Sequence, residues 1–208
     1  MTVCLVTGAA GYIGRRLVNA IAESAAFQKI IALDVQPLQQ ASLPDLVFIQ
    51  ADIRDRQLKG RLADLKPHTV VHLAFVVNPM RNEQLMFDIN VNGTLNILEI
   101  CGELEIKHLI ILSSATAYGA RPDNPLFISE EYPIQPHRAF SYPYHKGLLE
   151  LYFKDFIQQN PQIKVSIVRP VIIYGPGVNN YLSRYWQKLP FIPLVNGLNP
   201  PFQFVHED

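Results

Sequence analysis

A chain of 208 residues that is 49% hydrophobic and 17% charged, with a formal net charge of zero, reads as a globular protein with room for one core and a small appendage. Balanced charge without a basic cluster argues against nucleic acid or an anionic membrane surface as partner. The apolar runs are strand-length, so none reads as a membrane span, and no basic segment precedes the first of them as a signal peptide would require. The two cysteines, Cys4 and Cys101, read as small buried hydrophobes, so the expected compartment is the reducing cytoplasm and no disulfide framework is expected. No metal-ligand cluster is read.

Val3-Cys4-Leu5-Val6 has the pattern of a buried strand, and Arg15 to Ala22 has the apolar spacing of a helix. Between them lies Thr7-Gly8-Ala9-Ala10-Gly11-Tyr12-Ile13-Gly14. Gly8, Gly11 and Gly14 allow a tight turn and a close approach of a pyrophosphate to the amide groups. The helix that follows offers unpaired N–H groups and a partial positive charge. Strand, glycine turn and helix together predict dinucleotide binding.

Lys29 to Asp34 is a second strand ending in an acid. Asp34 lies about twenty residues past the turn, where a carboxylate can accept the adenosine ribose hydroxyls. No arginine follows to hold a 2′-phosphate, and Asp34 would repel one, so the expected cofactor is NAD rather than NADP. Leu46 to Gln50 is a third strand, leading into Asp52, Ile53 and Asp55. Thr69 to Ala74 is a fourth, apolar as a central parallel strand should be. The stretch from 81 to about 103 predicts one long helix carrying Asn90, a polar residue that needs a partner. Lys107 to Leu112 is a fifth strand with Ser114 just past its carboxyl end, and Val165 to Val168 a sixth. Strands alternating with helices predict an α/β fold, a doubly wound parallel sheet with its ligand at the carboxyl ends of the strands.

Residues 121 to 143 predict a long loop, and the sequence from Tyr142 to Gln159 a helix. Tyr142 and Lys146 are four apart, one turn from each other on a shared face. A phenol is a poor base at neutral pH, and a nearby ammonium lowers its pKa. The pair is therefore an acid–base device for moving a hydroxyl proton, with Ser114 placed to orient that hydroxyl. Tyr144 competes for the role but has no lysine at the fourth position onward. Pro143 suits the first turn of the helix.

The glycine turn, Ser114 with Tyr118-Gly119, and Tyr142 with Lys146 resemble the extended short-chain dehydrogenase/reductase family, whose members include NAD-dependent sugar epimerases, dehydratases and hydroxysteroid-type dehydrogenases. The resemblance implies a Rossmann-type NAD-binding domain over 1–177 and the start of a smaller substrate lobe over 178–208. The catalytic set it implies is Ser114, Tyr142 and Lys146. Its cofactor residues here would be Gly8, Gly11, Tyr12, Ile13, Gly14, Asp34, Asp52, Ile53, Leu73, Ala74, Asn90, Tyr142, Lys146 and Pro170.

Several of these rest on short matches. Asp52 and Ile53 would meet the adenine, the alternative being that this loop Asp only caps a helix. His72-Leu73-Ala74 matches H-L-A-A, with Phe75 in place of the second alanine. His72 is then a satisfied strand residue rather than a catalyst. Asn90-Val91-Asn92-Gly93-Thr94 matches N-V-x-G-T, and Arg169-Pro170 through Gly177 matches R-P-x-x-x-Y-G-P-G. Ile172 stands where nucleotide-sugar enzymes of the family carry an asparagine, and with Phe75 it predicts a more apolar pocket.

The expected activity is that of an NAD-dependent epimerase or dehydratase acting on a sugar or sugar-nucleotide. The alternatives are a hydroxysteroid-type or other alcohol dehydrogenase, and a non-catalytic NAD-binding regulator. Phe202 to Asp208 resembles F-x-x-V-x-D-D, within which the chain stops, so the lobe is expected to be truncated and turnover slow. The apolar faces of the helices near 81–103 and 142–159 predict a homodimer.

Overall fold

The computed structural model describes residues 2–39, 43, 45–104, 106–178 and 202–208. Six parallel strands form the central sheet: β1 (Val3–Thr7), β2 (Lys29–Asp34), β3 (Leu46–Gln50), β4 (Thr69–His72), β5 (His108–Leu112) and β6 (Lys164–Val168). Their spatial order is β3-β2-β1-β4-β5-β6. The chain leaves β1 first toward β2 and β3, then returns to place β4 on the other side of β1. That reversal opens a crevice beyond the carboxyl ends of β1 and β4, where open α/β sheets bind their ligands.

Alternation along β1 divides the core in two. Val3 and Leu5 face the larger cluster, with Leu58 and Leu62 of α2 (Leu58–Ala63), Ile97 of α4 (Gly93–Glu103), and Leu149 and Phe153 of α5 (Ser141–Gln159). Cys4 and Val6 face the other, with Val18 and Ile21 of α1 (Tyr12–Ser24). Sheet residues exposed to helices on both sides need apolar side chains at every position, and every residue of β1 is buried. Both cysteines are buried and free.

The single helix expected near 81–103 runs without a gap from Glu83 to Glu103 but changes type along its length. α3 (Glu83–Phe87), capped by the Asn82 carboxamide on the Leu85 N–H at 2.9 Å, runs into a π-helical turn (Asp88–Asn92) and then α4. The extra residue in the wide turn is a feature that apolar spacing does not reveal. A short 3-10 turn (Ala115–Tyr118) follows β5, and α5 begins at Ser141, two residues before the expected loop ends. A separate parallel pair, β7 (Ile172–Tyr174) and β8 (Phe204–His206), lies outside the main sheet. Most of the expected substrate lobe, including Trp186 and Pro190, lies outside the described residues. Among the described residues no helix is long and apolar enough to cross a membrane.

Candidate active site

The glycine turn closes on itself and on the sheet. The Gly11 N–H donates to the Gly8 carbonyl at 3.0 Å, and the Ala9 N–H to the Leu33 carbonyl at 3.2 Å. Gly8 takes a φ of +70°, and a Cβ there would stand 2.6 Å from the Ala74 nitrogen. A Cβ on Gly14 would stand 2.1 Å from the Gly8 carbonyl oxygen. Side chains at either position would fill the space that lets α1 start against the turn. No side chain caps α1, and its first turn carries no acid. The first N–H groups of a helix have no partner within the helix and can take an anion. Tyr12 and Ile13 stand in that first turn.

Asp34, at the carboxyl end of β2, anchors the turn from the side. Its carboxylate accepts the Ala10 N–H at 3.0 Å and the Gln36 N–H at 2.9 Å. A carboxylate has about four acceptor sites, and these two N–H groups are its partners among the described residues.

Asp52 follows β3 and is paired. Arg54 donates to it through Nε at 3.0 Å and Nη2 at 2.6 Å, and reaches Asp88 of the π turn through Nη1 at 2.7 Å. Hydrogen bonds from Arg54 hold the Asp52 carboxyl below its ordinary range. The neighbouring Ile53 is buried, with its carbonyl accepting the Asn96 amide at 2.7 Å. Arg54 was not among the residues expected here. Its position two residues after Asp52 was the available signal.

A hydrogen-bond chain fixes the end of β4. The Leu73 and Ala74 N–H groups donate to Thr7 Oγ1 at 3.2 and 3.3 Å. Thr94 Oγ1 donates to the Asn90 carbonyl at 2.7 Å, so at 2.9 Å it accepts from His72 Nε2. His72 Nδ1 is then the acceptor for Thr7 Oγ1 at 2.7 Å. Both ring nitrogens are satisfied, and burial, with Lys146 adding to it, holds the imidazole down to about 3. The ring is the satisfied strand residue expected at this position.

Asn90 is fully buried, and its carboxamide holds both backbone polar groups of one residue: Oδ1 accepts the Val76 N–H at 2.7 Å and Nδ2 donates to the Val76 carbonyl at 3.0 Å. Nδ2 also lies 3.3 Å from Nδ1 of His145, which is buried edge-on to Phe87. The π turn places Asn90 toward this segment. His145 was not anticipated, because its position within Tyr142 to Lys146 carried no separate pattern.

Ser114 lies past β5 and caps the 3-10 turn. Its Oγ accepts from the Thr116 N–H at 3.2 Å and from Thr116 Oγ1 at 2.9 Å, which leaves its own proton to donate. Pro170 comes alongside, its carbonyl accepting the Ala115 N–H at 3.0 Å. Lys146 of α5 is buried at the same strand end, with Nζ donating to the Leu112 carbonyl at 2.6 Å. Burial brings the ammonium down to about 7, with Glu150 pulling the other way. Tyr142 stands one turn earlier, its ring edge-to-face with Phe75 at 5.6 Å.

Beneath Lys146 is a buried network that the sequence reading did not anticipate. Glu150 accepts Ser113 Oγ at 2.6 Å and both Nε and Nη2 of Arg169 at 2.8 and 2.9 Å. Arg169 Nη1 donates to the Tyr118 hydroxyl at 3.1 Å. The spacing Tyr142, Lys146, Glu150 repeats every four residues and was the signal for it. At the other end of the site, Glu207 accepts from the Tyr12 hydroxyl, and Arg16 reaches Asp208 at 2.5 Å. The segment after β8 is thereby joined to the start of α1.

The turn after β1, Asp34 at the end of β2, Ser114 past β5 and the tyrosine–lysine pair on α5 stand at the carboxyl edge of the parallel sheet, which is the arrangement of a Rossmann-like fold of the extended short-chain dehydrogenase/reductase type. The model of the NAD dependent epimerase/dehydratase family matches residues 4–192, and the chain belongs to that family. It is 32% identical over 183 residues to the UDP-glucose 4-epimerase of Mycolicibacterium smegmatis, covering 83% of this chain and 56% of that one. An uncharacterized protein of Mycobacterium tuberculosis is 27% identical over 213 residues, 99% of this chain and 56% of that one. Among solved structures, UDP-glucose 4-epimerase with UDP-glucose from Thermotoga maritima superposes with a TM-score of 0.73 at 26% identity, over 86% of this chain and 59% of that one. The Thermus thermophilus UDP-glucose 4-epimerase complex with NAD gives a TM-score of 0.73 at 25% identity, over 84% and 57%. The chain thus spans about half the length of the curated relatives it matches, 56% for the Mycolicibacterium enzyme.

Proposed function

We propose that residues 1–177 bind NAD, and that the protein is an epimerase or dehydratase acting on a hydroxyl or keto carbon of a sugar or sugar-nucleotide. The observation that carries this reading is Lys146, buried and bonded to the Leu112 carbonyl at the carboxyl end of β5, one turn from Tyr142. The cofactor fits the chain: the turn is a cradle that a Cβ on Gly8 or Gly14 would fill. Gly8, Gly11, Gly14, Tyr12 and Ile13 would hold the pyrophosphate, Asp34 the ribose, and Asp52 and Ile53 the adenine. Leu73, Ala74 and Pro170 would line the nicotinamide side, with Asn90 acting through the Val76 backbone it holds.

Bound NAD supplies hydride acceptance and return at the substrate carbon. The chain supplies the rest. Tyr142 takes the hydroxyl proton and gives it back, as base and then acid. The Lys146 ammonium favours the phenolate by charge. Ser114, its lone pairs occupied by Thr116, donates its proton to the substrate oxygen and orients it.

One observation favours a second reading. Phe75 packs against the Tyr142 ring, and Ile172 lies in β7 where related nucleotide-sugar enzymes are expected to carry asparagine. An apolar wall suits a hydroxysteroid-type or other alcohol substrate. Assay of the protein with UDP-sugars and with apolar secondary alcohols separates the two: epimerised or dehydrated sugar supports the first, NADH formed from the alcohol alone supports the second.

The molecule is proposed to be a homodimer through α4 and α5. On α5, Leu151, Tyr152 and Ile157 are exposed while Leu149 and Phe153 point into the core. A monomeric mass in light scattering at micromolar concentration would count against it.

A further inference from the structure

We propose that Phe75 is a positioning residue for the tyrosine–lysine pair: its ring keeps water off the Lys146 ammonium and fixes it relative to Tyr142. This rests on the reading of that pair given above. Two contacts carry the inference. Lys146 Nζ lies 3.5 Å from the centre of the Phe75 ring, over its face. The Tyr142 ring meets the same phenyl group edge-to-face, at 87°. A single side chain therefore touches both members of the pair, which α5 alone spaces only by a helical turn.

The backbone that carries this ring is fixed on both sides. Before it, Leu73 and Ala74 are bound to Thr7, and Gly8 packs against Ala74 too closely to admit a Cβ. After it, both polar groups of Val76 are held by Asn90. The glycine turn and the π turn thus clamp the segment from opposite directions, and the Phe75 ring has a preorganised place between them. Alanine at this position would remove the ring and leave the clamps intact.

Among the described residues, Glu150 acts on Lys146 from one turn further along α5, and His72 from β4, where the ring stays neutral; Tyr142 precedes it by one turn. Arg169 neutralises Glu150 from the end of β6. The Leu112 carbonyl is the polar partner of Nζ. Burial lowers the lysine's pKa and Glu150 pulls the other way, so exclusion of water governs the ammonium. The ring face attracts the cation in addition.

The test is NMR titration of the 208-residue chain carrying 13Cε-labelled lysine, the Lys146 signal being assigned by its loss in Lys146→Met. Phe75→Ala admits water and raises the Lys146 midpoint by at least about one pH unit. Phe75→Leu keeps an apolar wall, loses the ring face, and leaves the midpoint where it is or lower. An unchanged midpoint in Phe75→Ala, or an equal rise in Phe75→Leu, overturns the proposal. NAD binding measured on the same samples separates the two readings. A chain that binds NAD with an unmoved midpoint refutes the role of Phe75 alone. A shifted midpoint in a chain that does not bind NAD refutes the cofactor reading and leaves the placement of Phe75 standing.

Discussion

The buried carboxylate of Glu150 and the guanidinium of Arg169 meet through two parallel hydrogen bonds, at 2.8 and 2.9 Å. The pair ties the end of β6 to α5 one turn beyond Lys146. It also sets the segment that carries Pro170 against Ser114. A bidentate arginine pair fixes direction as well as distance, so one contact aligns two parts of the candidate site.

Removing the arginine should be costly. Arg169→Met leaves a buried carboxylate with Ser113 as its remaining described side-chain donor and is expected to cost about 3–5 kcal/mol in urea unfolding. The double variant Glu150→Leu/Arg169→Met should recover most of that loss, because it buries no charge. A single variant as stable as the parent would show that the pair is not desolvated as described.

Lys146 predicts a pH dependence of stability. Its pKa is lowered in the folded chain to about 7 from an ordinary 10.5. Below 7 both folded and unfolded chains carry the charge, and the fold bears the full cost of burying it. Between 7 and 10.5 the unfolded chain binds more protons, so stability rises with pH. Above about 9 the buried thiols Cys4 and Cys101, both pushed up by burial, oppose the trend. The usable window is therefore pH 7 to 9, where the slope from this group is about 1 kcal/mol per unit. Urea unfolding of the parent and of Lys146→Met should show that slope in the first and its loss in the second. Identical slopes would place Lys146 in water.

Tyr142→Phe should abolish nearly all turnover in the active protein while leaving NAD affinity within about twofold, a difference of roughly 0.4 kcal/mol. Ser114→Ala should lower turnover by about 10²-fold or more, as loss of a single oriented donor to the reacting oxygen does. A Tyr142→Phe protein that retains substantial rate would move the proton to another group, with Tyr144 the nearest phenol in the sequence.

How far the sequence announces this structure varies with the kind of signal. The β2 and β3 boundaries, Lys29–Asp34 and Leu46–Gln50, match their apolar runs; β2 is buried on both faces and shows as an unbroken run, while the half-buried edge strand β3 keeps four apolar residues in a row. The glycine turn is legible because its steric demand is local. The π turn within the long helix at Asp88–Asn92 is not, since it inserts a residue without altering composition. Asn90 illustrates the limit within the site. Its polarity inside an apolar helix signalled a partner, yet that partner proved to be the backbone of Val76, fourteen residues earlier. Glu150 and Arg169 are nineteen residues apart in the chain, and only the packing of α5 on β6 brings them together.

Titration calorimetry of the 208-residue chain with NAD and with NADP tests the central claim most directly. The glycine turn and Asp34 predict NAD binding at least about tenfold tighter than NADP, about 1.4 kcal/mol. Gly14→Val should abolish binding of both, because its side chain would occupy the space now taken by the Gly8 carbonyl. Asp34→Ala should bring the two affinities together. No NAD binding by the parent chain, or equal affinity for the two dinucleotides, would contradict the account.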